Sequence, residues 1–385
     1  PHHLPPGAPS YPLLERWEVR SGLEAPWIGA LHAVEGRQAV RFALRADSLL
    51  GSNSRLGRYR RRFVLAQWND YLAADGPQQA LRSTESPHYL TNGKPLLGAL
   101  YRTPAFLYET NGPDFYLRAN PMLDLRLGRD QEEGSLLFFN RRGLELRGAV
   151  DSRLYFFTQV TETQARFPNY LNRRIARDQA VPGNGFYKNY RSELLDLNDA
   201  YDFLNAQGYV GFHLSPHIGL RFGTGRHFIG YGQRSLLLSD FSNNYLYLQL
   251  NTQVGRFHYQ NLFAELTASS NTFLPGDVAL PRKYLAAHYL GIRLNPKLEI
   301  GLYEAVVFSR NNRFDLSYLN PLIFYRAVEQ AAGSPDNVLL GLNLRGDAFR
   351  HFRCYGQLVL DEFKLDELIT DNNGWWANKF GWQLG

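Results

Sequence analysis

From Phe115 onward, apolar residues in this 385-residue chain return at every second position, and no other feature constrains its fold as strongly. In Phe115 to Leu127 the odd positions are Phe115, Leu117, Ala119, Pro121, Leu123, Leu125 and Leu127, whereas the even ones include Arg118, Asn120, Asp124 and Arg126. Because successive strand residues point to opposite faces, this spells a strand with one oily and one polar side. The pattern recurs at Leu144/Leu146, at Leu246/Leu248/Leu250, at Leu290/Ile292/Leu294 against Gly291/Arg293, and at Val338/Leu340/Leu342/Leu344 against Asn343/Arg345. Tight connections such as Leu214-Ser215-Pro216-His217 and Leu294-Asn295-Pro296-Lys297 join neighbours, and long polar stretches (Gln164 to Ala206, Ala268 to Arg282) alternate with them. Short turns at one end and long loops at the other are the layout of an outer-membrane barrel. A soluble sandwich or barrel alternates equally well. The Leu-rich continuity of the oily face favours the membrane reading, as do aromatics at strand ends (Phe156, Phe157, Tyr245, Tyr247, Phe257, Tyr259, Tyr284, Tyr289), which suit a girdle.

Composition agrees with many strands and many turns: aromatics make up 14% of the chain, with 34 Gly and 20 Pro. With 44% hydrophobic and 20% charged residues the chain is not disordered as a whole. The net charge of +6 is modest and its basic residues are dispersed, the one dense run being Arg58, Arg60, Arg61 and Arg62, so no nucleic-acid partner is expected. A single cysteine, Cys354, excludes a disulfide framework and a cysteine metal cluster. No apolar run is long enough for a transmembrane helix, which says nothing against strands. Pro1-His2-His3-Leu4 does not read as a signal peptide, so compartment has to come from other features.

Upstream of the alternating region the period is helical. Leu13, Leu14, Trp17 and Val19 share one side of a short helix closed by Gly22, and Val34 to Leu44 and Leu56 to Tyr71 also read as helices. The expected division is therefore a helical N-terminal segment over residues 1–75 and a barrel over 76–385.

Several blocks carry a family resemblance. The segment from Leu220 through Gly223, Gly225, Arg226, His227, Gly230, Tyr231, Gly232 and Arg234 to Leu236-Leu237-Leu238-Ser239-Asp240 resembles the glycine-rich segment of capsule-assembly outer-membrane proteins of the Wzi type. Lys94 to Gly98, Thr103 to Tyr108, Arg141 to Gly148, Val181 to Lys188, Tyr259 to Glu265, Tyr318 to Arg326, Gly333 to Asn337, Asp361 to Lys364 and Gly374 to Gly381 resemble the Bacteroidetes branch of that family, the gliding-motility RemB-like proteins. The resemblance implies an all-β fold: a transmembrane antiparallel outer-membrane β-barrel of a Gram-negative bacterium, with a small periplasmic α-helical segment. At about 10 residues per strand plus turns, roughly 12 to 18 strands are expected. It also implies a non-enzymatic role with surface, capsular polysaccharide and outer-membrane lipid as partners. A structural subunit of a gliding or secretion complex, contacting other outer-membrane proteins, is the alternative. Complete barrels usually end on an aromatic, and this chain stops at Trp382-Gln383-Leu384-Gly385, so further strands are expected beyond it.

Within the glycine-rich segment, a dinucleotide fingerprint would need a helix directly after the glycines; Leu236 to Asp240 leads instead into a strand, so the segment reads as a loop in the lumen or across the mouth. Arg226, His227, Tyr231, Arg234 and Asp240 are its candidate glycan-binding or lumen-loop residues, Arg being suited to bidentate contact with glycan carboxylates. Glu145, Arg147, Glu265, Glu304, Arg326, Asp361 and Glu362 read as a lumen charge network. Paired carboxylates among them would also suit glycoside hydrolysis, but nothing fixes their separation. The acidic cluster Asp361, Glu362, Asp366 and Glu367 lacks the calcium-loop spacing of an EF-hand. No His-Glu-x-x-His or Gly-x-Ser-x-Gly motif is present, and no metal, cofactor or catalytic residue is expected. Phe314 to Ala332 reads as a helical or irregular excursion broken at Asn320-Pro321.

Overall fold

The computed structural model describes residues 3, 8, 10–51, 106–131, 134–151, 153–192, 197–268, 280–322, 324–333, 336–361 and 379–385. The expected helix Leu56 to Tyr71, the Arg58 to Arg62 run and Glu362, Asp366 and Glu367 lie outside them.

The protein is mostly β: one 14-stranded antiparallel sheet with an N-terminal helical segment. Its strands are β1 (Tyr108–Asn111), β2 (Phe115–Arg129), β3 (Leu136–Val150), β4 (Leu154–Arg166), β5 (Lys188–Ser192), β6 (Leu197–Ser215) and β7 (Ile218–Gly225). They are followed by β8 (Tyr245–Val254), β9 (Phe257–Thr267), β10 (Arg282–Asn295), β11 (Leu298–Phe308), β12 (Asn337–Ala348), β13 (Phe352–Asp361) and β14 (Lys379–Leu384). Each strand pairs with its neighbour in sequence, except that β5 lies off the main path, beside β6. The order ends at β1 and β14, which do not pair with each other, so closure into a barrel is not detected among the described residues.

The connections alternate. The connections β3–β4, β6–β7, β8–β9, β10–β11 and β12–β13, at one end of the sheet, are two or three residues long. At the other end β2 and β3 are six residues apart, and the strand ends of β4 and β6, β7 and β8, β9 and β10, β11 and β12, and β13 and β14 are separated in sequence by 14 residues or more.

Register carries the alternation across the sheet. On one face, Tyr259, Leu290, Leu302, Leu342, Leu358 and Trp382 form a row of cross-strand partners, and Leu220 faces Leu250. Much of this face is bare: Leu123, Leu125 and Leu127 are 70%, 63% and 83% exposed. The opposite face is covered and polar, with Arg147, Thr163, Arg221, Gln249, Gln260, Arg293, Glu299, Asn343, Arg345 and Gln357 all buried. A soluble sheet would bury the first set and hydrate the second. The same parity splits the expected girdle, because residues an even number apart share a face and adjacent ones do not. Phe156, Phe257, Tyr259 and Tyr284 lie on the oily face, whereas Phe157, Tyr245, Tyr247 and Tyr289 turn to the covered one.

The cover is the N-terminal segment. Helix α1 (Ser10–Ser21) ends where Gly22, at φ +69°, donates its N–H to the Glu18 carbonyl, and α2 (Gly36–Leu50) packs beside it. Tyr11, Leu14, Trp17, Val34, Val40, Phe42 and Ala43 form their shared core, closed by Trp27 edge-on to Phe42. A second core joins Ile28, Ala30 and Leu31 to Tyr231, Tyr247, Leu262, Leu285, Tyr289 and Tyr303 of the covered face and its loop.

Gly301 shows how tightly that face is filled. A Cβ there would run into the ring of the fully buried Tyr289, whose hydroxyl is held by the Asn343 amide at 3.0 Å. Gly301→Ala is expected to cost about 1–3 kcal/mol through overpacking. An unchanged denaturation midpoint would show that Tyr289 has room to swing away.

Candidate functional site

The glycine-rich segment divides in two. Leu220 to Gly225 belongs to β7, and only Arg226 to Asn244 is loop. That loop turns in over the covered face, meeting the N-terminal segment from the other side: the Gly230 N–H donates to the Ala30 carbonyl at 2.8 Å. Gly230 and Gly232 have φ of +137° and +85°, and a Cβ at either would strike Gln357 and Ser235, or Tyr355. The glycines are thus required by backbone conformation and close approach, with no phosphate cradle needed.

Four of the five candidate loop residues are engaged within the protein. His227 is buried, with Nδ1 at 3.1 Å from the Tyr245 hydroxyl; burial first, and Arg221 second, pull its pKa down to about 3. Tyr231 is buried and donates its hydroxyl to Glu299, so burial and the Glu299 charge hold the phenol protonated well above its usual range. Arg226 donates to the carbonyls of Gly183 and Ser242 at 3.4 and 3.5 Å; burial lowers its pKa, and the Asp240 carboxylate opposes that. This arginine therefore ties the Val181 to Lys188 block, a turn with Gly183 and Gly185 both at φ +77°, to the loop.

Arg234 alone of the five is exposed, and it is not isolated. Its guanidinium lies 5.0 Å from the centroid of the Phe241 ring, and that of Arg174 lies 5.2 Å from the same ring. Arg174 stands on α3 (Asn169–Asp178), where it pairs with Asp178 at 3.3 Å. Phe241 is itself exposed. Two cations flanking an exposed aromatic at the long-loop end can meet both the charge of an acidic sugar and the apolar face of its ring. Arg174 carries no sequence signal for this role, because its neighbour in space is 67 positions away across two loops.

The proposed charge network is distributed over both faces. Glu145 and Arg147 lie on the covered face of β3, and Asp361 has the same parity on β13. Glu265 and Glu304 belong to the oily face: Glu265 pairs with Arg282 at 2.9 Å and Glu304 with His288 at 2.7 Å. Arg326 is on α4 (Tyr325–Ala331) and bonds Glu329 at 2.6 Å. The parity of Glu304, between Leu302 and Val306 in steps of two, already placed it among oily residues.

The extensive buried network is one the sequence reading missed. Arg345, fully buried, reaches Glu18 at 3.0 Å, Asp347 at 3.2 Å and Glu299 at 3.3 Å. Arg353 bonds Glu18 at 2.9 Å and Asp347 at 2.8 Å. Arg293 pairs with Glu299 and donates to the carbonyls of Ala25 and Trp27. Three arginines and three carboxylates thereby lock α1 and the irregular segment after it to the tight-turn end of the sheet.

Comparison with known proteins adds no relative: no protein-family model matches the chain, and no curated protein matches it.

Proposed function

We propose that this sheet is the wall of an outer-membrane β-barrel, plugged from the tight-turn end by its N-terminal helical segment, and that the protein acts without catalysis by binding surface polysaccharide at its long-loop end. The observation that carries the membrane part is the inversion of the two faces, leucines bare and arginines buried, on strands whose connections alternate short and long. In that setting the tight turns are periplasmic, which puts α1, bonded to Arg345 and Arg353 beside the 349–351 turn, on the periplasmic side. No helix among the described residues is long and apolar enough to cross a membrane.

The glycan part draws on the family resemblance and on the Arg174–Phe241–Arg234 arrangement at the end that would face outward. Arg174→Ala with Arg234→Ala is expected to weaken binding of an acidic polysaccharide by about tenfold or more, the scale of one or two charge-assisted hydrogen bonds. The protein is purified from outer membranes and titrated with the polysaccharide at low and moderate salt. Binding that is absent, or indifferent to both substitutions, would sink the glycan reading. A stoichiometric protein partner recovered without glycan would make the barrel a platform in a larger complex.

A further inference from the structure

The oily face carries a pocket of about 620 Å³. Leu290, Leu302, Leu342 and Leu358 of four adjacent strands form its floor, and Leu322 and Phe324 overhang it. Such a volume lies within the roughly 300–1,000 Å³ of small-molecule sites.

The overhang is held in place by a specific device. The Glu304 carboxylate accepts the N–H groups of Tyr325 and Arg326 at 3.1 and 2.9 Å and the His288 Nε2–H at 2.7 Å, so the start of α4 is pinned to β11. Tyr325 stacks on the His288 ring at 4.5 Å, and the Tyr259 hydroxyl donates to the Pro321 carbonyl at 2.5 Å. Glu304, His288 and the Tyr325 ring stacked on it sit on the long-loop side of the pocket, one step along the strands from the leucine row to which Tyr259 belongs. Below them, toward the tight turns, the floor is leucine. Leu322 and Phe324 are 82% and 75% exposed, an arrangement that suits an overhang lying against hydrocarbon.

The geometry points to a binding site for one acyl chain of a membrane lipid, entered from the oily face and held with the lipid's head toward the long loops. This rests on the membrane reading above. Three observations choose the occupant. The pocket is continuous with the bare leucine rows of the sheet; Glu304 and His288 lie at the end where a head group of the outer leaflet would lie; and Glu304, the one carboxylate of the lining, is already engaged by His288 and two backbone N–H groups, so the chain and not the head is recognised. A folded protein segment would bring backbone N–H and C=O groups that this floor has no means to satisfy.

The test uses the full chain in phosphatidylethanolamine and phosphatidylglycerol vesicles, with two probes bearing the same diazirine-substituted acyl chain, a monoacylglycerol and a lysophosphatidylcholine. After irradiation, both are expected to label peptides containing Leu302, Leu322 to Phe324 or Leu340 to Leu342, ahead of the Leu123 to Leu127 stripe. Leu302→Trp, which fills the floor, is expected to reduce that label by about tenfold, as exclusion of about two methylene groups already would. Leu342→Phe gives a smaller drop and serves if the first variant does not insert; Leu123→Trp, on the same face but outside the pocket, leaves the label unchanged. Label spread evenly along the oily face, or unmoved by both filling variants, overturns the site while leaving the barrel intact. Strong labelling by only one probe overturns recognition through the chain. Failure of the wild-type protein to float with the vesicles overturns the membrane reading, and the site with it.

Discussion

Arg345→Met is expected to destabilise the protein by about 3 kcal/mol, the low end of the range for removing one partner from a buried ion pair. Arg345 has no exposed surface and touches all three carboxylates of the lock, Glu18, Glu299 and Asp347. Its loss leaves three carboxylates facing Arg293 and Arg353 in a site from which water is excluded. The cost stays at the low end because Glu18 keeps Arg353 and Glu299 keeps Arg293. A second substitution, Glu18→Gln, removes the surplus negative charge, so the double variant is expected to be more stable than the sum of the single effects predicts. Denaturant unfolding of the four proteins in detergent gives the coupling directly. Protease digestion adds the location: in Arg345→Met, cleavage should appear first between α1 and the strands, as the helical segment leaves its seat. Strict additivity, or equal protease resistance in all four, would mean that apolar packing of Ile28 and Leu31 holds the plug and the arginines merely accompany it.

This lock also shows where the sequence stops being informative. Strand pairing was legible because each period-two segment pairs with the next one along the chain, whether a tight turn or a long loop joins them. That Arg293 and Arg345 share the non-oily face was legible too, since each alternates with Ile292 and Leu294 or with Leu342 and Leu344. What they meet was not, because Glu18 lies 327 positions before Arg345. A signal did exist in α1, where Glu18 sits one turn from Leu14 and beside Trp17 on the side that packs inward; a carboxylate on an apolar stripe calls for a buried cation. Glycines obscured β7. Gly223 and Gly225 made Gly223 to Asp240 look like one loop, although Gly223 to Gly225 continue β7 and pair with Tyr247, Leu246 and Tyr245. After that point the glycine-rich stretch is a loop, as expected, yet its candidate residues His227 and Tyr231 hold the loop to the covered face and Arg226 ties it to the Val181 to Lys188 turn.

Acid is expected to loosen the N-terminal helical segment from the covered face, and two histidines contribute to the range. His32 lies between the rings of Tyr11 and Phe228, at 4.3 Å from each, and burial lowers its pKa from 6.5 to about 4. His227, across Phe228 in the same junction, is lowered to about 3 by burial and by Arg221. Both therefore bind protons more weakly when folded than when unfolded. Their contribution is complete above pH 6.5, declines as pH falls below it, and reaches its floor near the folded pKa values. At pH 4.5 each histidine has lost about 2 to 3 kcal/mol, from 1.36 kcal/mol per unit over two units, with His32 at the lower figure because its folded pKa of about 4 lies closer to that pH. Glu15 acts in the opposite direction, since burial raises its carboxyl pKa and proton uptake there favours the folded form. The histidines outweigh it between pH 6.5 and 4.5, where two groups titrate against one. His32→Phe keeps the stack with Tyr11 and Phe228 but cannot be protonated, and His227→Asn keeps a polar group beside Tyr245. Stability of wild type, the two single variants and the double variant is measured from pH 7.5 to 4.5 by denaturant midpoint. The wild-type slope should flatten in each single variant and flatten further in the double. If the double variant loses stability with acid as steeply as wild type, other groups govern the acid limb, and the histidine junction is packing alone.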